Sequence, residues 1–174
     1  MPILAWKFIG VRGATIDAEW PDGRNISHQI PRAAAFHPTV IYIHLNHLGE
    51  NDLGSLLPHE IVHNLVVFIN RLAVACRPQR IIVSQLFDFP NNVERGQSSR
   101  YINQQMEAHW AVEANQPLPT RVQYWYHRVS VFGPDAAEHF VDGVHLDDRT
   151  MAKYCVSAGT IVSRCFNAVQ REQR

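Results

Sequence analysis

Thr39-Val40-Ile41-Tyr42-Ile43-His44-Leu45 is a run of β-branched and aromatic residues of strand length, well short of the ten or more residues a buried helix uses. Reading outward from it decides the fold. Downstream, Leu56–Cys76 has helical spacing, with Pro58 tolerated in its first turn and Arg77-Pro78 ending it. Arg80–Phe87 (RIIVSQLF) is then a second apolar strand, completing strand–helix–strand. Upstream lie a short helix over Asn25–Phe36 and a strand over Ile3–Val11 (ILAWKFIGV). Asp88–Gln97 is polar with Pro and Gly and reads as a loop. Ser98–Asn115 reads as a helix capped by Ser98 or Ser99, with Pro117 beyond its end. Arg121–Val129 (RVQYWYHRV) is a more polar strand suited to an edge, and its Tyr124-Trp125-Tyr126 run is expected to pack rather than to stack a sugar or base. The last helix runs from about Asp148 to Gln170, with Met151, Cys155, Ala158, Ile161, Val162, Cys165, Phe166 and Val169 on its core face. Strands alternating with helices predict an α/β fold of βαβ units with a mainly parallel sheet, as a single domain over residues 1–174.

Composition narrows the classes of function. The chain is 46% hydrophobic, enough for a sizeable core, and its 16 basic residues balance 16 acidic ones. That balance gives no electrostatic basis for binding nucleic acid or a membrane surface. No segment approaches the 18 or so consecutive apolar residues of a membrane span, and residues 1–11 have no signal-peptide cleavage pattern. Cys155 and Cys165 on one helix would stand about 15 Å apart, too far for a disulfide. Three buried reduced thiols (Cys76, Cys155, Cys165) and a cytoplasmic location are therefore expected.

In an open parallel sheet, ligands bind beyond the carboxyl ends of the strands. This rule brings Gly10–Gly13, Asn46–Gly54 and Asp88–Gln97 to one rim, with Asp142–His145 in reach just before the final helix. Asp142, three residues before His145, can orient and charge-stabilise that imidazole as a general base. Asn51 at a strand tip can donate its amide hydrogens to a developing oxyanion, although Asn is also a common turn residue. A second pattern, His59-Glu60-Ile61-Val62-His63, formally matches a zinc metallopeptidase signature, with Glu60 as base. A solvated polar face of Glu60, His63, Asn64, Asn70 and Arg71 is the expectation there, and no metal or other cofactor is expected. Neither Ser84 nor Ser55 lies on a sharp strand-to-helix turn that would present an activated hydroxyl.

Gly49-Glu50-Asn51-Asp52 after a strand and Asp142-Gly143-Val144-His145-Leu146 before the last helix resemble the third and fifth blocks of the SGNH hydrolase superfamily, the GDSL-type esterases and lipases. The resemblance implies a flavodoxin-like three-layer α/β/α sandwich acting on a small carboxylic ester. It implies that His145 is the base and Asp142 its orienter, and that Asn51 and Gly13 donate to the oxyanion, with Gly10 as the alternative to Gly13. Asn103 also stands at a familiar place in the helix from Ser98. The chain departs from the family in two places. It has no Gly-Asp-Ser block to supply the nucleophile, so Ile3–Val11 corresponds to the family's second strand, as in an N-terminally truncated or diverged member. Asn46-His47-Leu48 reads as an insertion that lengthens the loop aiming Asn51. A missing strand between two others would leave its neighbours unpaired. The sheet could be completed upstream, by Ile3–Val11 closing on Thr39–Leu45 (the expectation adopted here), or by a partner or second copy. Weak turnover, or a catalytically inactive binding domain on the same fold, follows from the absent serine.

Overall fold

The computed structural model describes residues 7, 9, 14–16, 24–48, 50–89, 91–127, 139–141 and 145–173, without the side chain of His47. Three parallel strands form the described sheet: β1 (Val40–His44), β2 (Arg80–Ser84) and β3 (Arg121–Trp125), in the order β1-β2-β3. Tyr42 pairs with Ile82 and Ile82 with Gln123, so the three strands advance in step. The helices are α1 (Ile30–Ala34), α2 (Pro58–Cys76), α3 (Val93–Ala111) and α4 (Asp148–Glu172). The expected α/β class with a parallel sheet is what the chain adopts. The predicted strand Ile3–Val11, and with it the pairing to Thr39–Leu45, lies outside the described residues apart from Lys7 and Ile9.

Strand alternation builds the layers. Ile43, Ile81, Val83 and Val122 point to one face, where Ile61, Leu65 and Ile69 of α2 and Ile102 and Met106 of α3 cover them. Val40, Tyr42, Ile82 and Trp125 point to the other face, against Ile161, Val162 and Cys165 of α4. Fully burying each such side chain stabilises by about 1.5–3 kcal/mol, so helices on both faces are the main source of stability. Arg80 at the start of β2 pairs with Glu172 at the end of α4, so α4 runs antiparallel to the strands. The N-terminus of α4 therefore lies at the strands' carboxyl ends.

Two element boundaries and one core position differ from the sequence reading. The helix expected over Asn25–Phe36 is a 3-10 turn, Ile26–Gln29, followed by α1, with Asn25 Oδ1 accepting the Ser27 N–H at 2.9 Å. Pro31 has no N–H for a regular ladder, and a tighter turn ahead of it avoids that gap. α3 starts at Val93, five residues before Ser98, because Asn92 caps it by accepting from Arg95 N at 2.9 Å. Part of the expected Asp88–Gln97 loop is thus helical. Gly96 packs this first turn close to the preceding loop: a Cβ there would lie 3.3 Å from Phe89 O and 2.7 Å from the movable Asp88 Oδ1. In α4, Cys155 is exposed instead of buried, and Tyr154 takes its place in the core. Tyr154 lies two turns before Ile161 on the same helical face, whereas Cys155 is turned about 100° away from it.

The end of β2 is held by a side chain acting as a peptide. Leu86 N–H donates to Asn103 Oδ1 at 2.8 Å, Asn103 Nδ2 donates to Leu86 O at 2.9 Å, and Tyr124 OH donates to the same Oδ1 at 2.5 Å. All three residues are buried or half-buried. Asn103→Ala leaves a buried N–H and C=O unpaired and is expected to lower unfolding free energy by about 2–4 kcal/mol, read from the urea midpoint at unchanged slope.

Candidate functional site

The Gly-x-Asn-Asp turn follows β1 through a 3-10 turn over Leu45–His47, in which Leu45, Asn46 and Leu48 are buried. Two of the residues read as a loop-lengthening insertion, Asn46 and Leu48, are thus embedded in the structure. Gly49 and Gly13 lie outside the described residues. Two polar residues of the turn reach the segment that follows Gly13. Asn51 Nδ2 donates to Ala14 O at 2.9 Å, and the wholly buried Asp52 accepts the Ile16 N–H at 3.2 Å. Ala14–Ile16 and the Asn51 turn are therefore locked together, although they lie more than thirty residues apart in sequence.

The second block sits in a small antiparallel pairing just ahead of α4. Phe140 bridges Leu146, Val141 N–H donates to His145 O at 2.8 Å, and Asp147 N–H donates to His139 O at 2.9 Å. His145 is exposed, whereas Leu146 is buried against Phe87 and Tyr154; Asp142 lies outside the described residues. Asp147 caps α4 by accepting Thr150 N–H at 2.6 Å, and this bond holds its carboxyl below the usual range. His139 Nδ1 lies 3.0 Å from Thr150 Oγ1, tying the pairing to the first turn of the helix.

Beneath the rim, on the α4 face, lies a chain of polar groups that the sequence reading did not find. Tyr42 OH is 2.6 Å from Tyr154 OH and 3.2 Å from His127 Nε2. Tyr154 OH is 3.3 Å from Ser84 Oγ, and His127 Nδ1 is 2.9 Å from Ser157 Oγ. The Tyr154 ring lies 4.3 Å from that of His127 and 4.6 Å from that of His44. Burial raises the pKa of both tyrosines and lowers that of His127 to about 4. Tyr42 and His44 alternate into this face within an otherwise apolar strand, and that was the one available signal.

The remaining sequence candidates have structural partners. Ser84 is completely buried and presents no hydroxyl at the rim, whereas Ser55 is exposed in the turn after Asn51, its Oγ 3.3 Å from Asp52 O. Tyr124 packs toward α3 and Trp125 toward α4; Tyr126 remains 40% exposed, its phenol pushed up to about 12 by partial burial and then by Glu107. His59, Glu60 and His63 are exposed on α2, and Glu60 Oε2 accepts the Leu57 N–H at 2.8 Å, an N-terminal cap. Among the described residues no three His, Cys, Asp or Glu side chains come together as metal ligands, and no helix is long and apolar enough to cross a membrane. No family model, curated protein or solved structure matches the chain.

The buried imidazole makes stability depend on pH. His127 titrates near 6.5 when unfolded and near 4 when folded, so between those values the unfolded chain takes up the proton. Its contribution is complete above about pH 6.5 and is lost as pH falls toward 4, for a total of about 2–3 kcal/mol. Urea unfolding across that window should follow this fall, and His127→Gln should remove that component.

Proposed function

We propose that the chain is an SGNH-type domain that handles small carboxylic esters at the rim beyond β1 and β2. In this reading, His145, oriented by Asp142, is the general base, and Asn51 with the backbone at Gly13 binds the oxyanion. One observation carries the proposal: Asn51 and Asp52 grip Ala14 and Ile16, so the Gly-x-Asn-Asp block lies directly against the residues after Gly13. These are the two blocks from which the resemblance draws its oxyanion donors. The parallel order of β1, β2 and β3, and Asn103 bracing the end of β2, agree with it. The hydrogen bond to Ala14 uses one of the two Asn51 amide hydrogens and leaves the second to act as a donor.

The 174 residues contain no Gly-Asp-Ser, Ser84 is buried, and the exposed Ser55 lies in the turn after Asn51, with no base shown beside it among the described residues. An oxyanion site and a base without a triad serine retain only a small part of a hydrolase's rate enhancement. Slow turnover by this chain is therefore the expectation. Burial of Ser84 favours a second reading, a non-catalytic domain that binds at the same rim.

Hydrolysis of p-nitrophenyl acetate separates the two. The ester-hydrolase reading expects turnover above the buffer rate that falls by about 100-fold in His145→Ala. Turnover unchanged in that variant, or none at all together with no labelling by a fluorophosphonate, removes the hydrolase reading and leaves the binding domain.

A further inference from the structure

We infer that Asn46 is a positioning residue: its carboxamide sets the separation between the turn that carries Asn51 and the pairing that carries His145. The inference rests on the ester-site reading and deepens it.

The link runs through a short series of contacts. Asn46 is 3% exposed and lies five residues before Asn51, flanked by Leu45 and Leu48, which are buried among the side chains of the α2 face. Its Oδ1 accepts the Phe87 N–H at 2.9 Å, across a sequence separation of 41 residues. Phe87 lies beyond the end of β2 and is itself buried. Its ring meets Phe140 edge-on at 6.1 Å and Tyr154 at 5.5 Å, and it packs in one cluster with Leu146. Phe140 and Leu146 are the bridged pair of the small antiparallel pairing, and His145 is the chain neighbour of Leu146. Along this route the Asn46–Phe87 hydrogen bond is the polar contact between the two rim segments; the His44 ring, edge-on to Phe87 at 5.8 Å, packs beside it, and the other contacts are apolar packing or covalent chain.

The chemistry explains why an amide suits this position. A backbone N–H just past a strand end, in a dry site, needs an acceptor, and the β1–β2 ladder ends at His44 and Ser84. Asn46 supplies that acceptor from the loop it also anchors, so the loop and the β2 extension move as one body. An apolar residue would fill the space but lack the acceptor through which the turn after β1 holds the Phe87 backbone at its present distance. A displacement of about 1 Å between oxyanion donor and base is enough to cost about 100-fold in a positioned reaction.

Side-chain NMR of the full 174-residue chain tests this, reading the His145 Cε1–Hε1 resonance and the Asn51 carboxamide resonances. Asn46→Ala is expected to shift both. Val122→Ala, a core truncation remote from this route, is expected to leave both in place. If Asn46→Ala does not fold, Phe87→Leu keeps the backbone bond but removes the ring contact with Phe140, and it is expected to shift His145 alone. Overturning results are a His145 resonance unmoved in whichever of the two variants folds, or moved equally by Val122→Ala. The spectra contain no substrate, so an inactive chain still reports the coupling. His145-dependent turnover with an unmoved His145 removes this inference and leaves the ester reading intact.

Discussion

Ile81, Ile82 and Val83 are each completely buried, and a strand with no solvent face must be covered on both sides. This constraint on β2 dictates the rest of the molecule. Ile81 and Val83 require α2 and α3; Ile82 requires α4. A strand buried twice reads as a continuous apolar run instead of an alternating one, which is how Arg80–Ser84 is written. The parallel neighbours follow from the same need, because a helical crossover between strands is the connection that also lays a helix over the sheet.

The constraint becomes acute where β2 stops. Past Ser84 the chain is still buried, but β1 ends alongside it and the ladder closes. Backbone groups of Gln85, Leu86 and Phe87 are then met one by one: by Trp125 O, by the Asn103 carboxamide and by Asn46 Oδ1. Asn suits such positions because one short side chain carries both a donor and an acceptor in peptide geometry. The rim is thus built from polar side chains that finish a sheet, and the residues proposed to meet an ester stand on that foundation.

Much of this was legible in the sequence, and the illegible part has a common cause. β-branched runs and helical periodicity marked all three described strands and the long helices, because burial of a repeating face leaves a repeating pattern. The same signal misplaced the start of α3, where a single capping residue, Asn92, outweighed Ser98 and Ser99. It also placed Cys155 in the core, since Cys and Tyr at adjacent positions both fit an apolar stripe and only packing chooses between them. Asn51 and His145 were singled out as local motifs, and the structure adds what Asn51 touches. The Tyr42–His127–Tyr154 chain went unnoticed because its members come from a strand, a strand end and a helix up to 112 residues apart, with no spacing to betray them.

The clamp at Leu86 and Phe87 also bears on how the molecule opens. A strand extension held only by its own ladder can fray from the end at little free energy. Here each bond comes from a different element: Asn103 from the middle of α3 and Asn46 from the turn after β1. Neither can be released without disturbing a helix or loop rooted in the core. The Leu86–Phe87 extension is therefore tied to the same cooperative unit as the sheet. A ligand that touched this extension would meet backbone already held in place, and little of its binding free energy would be spent on ordering that segment.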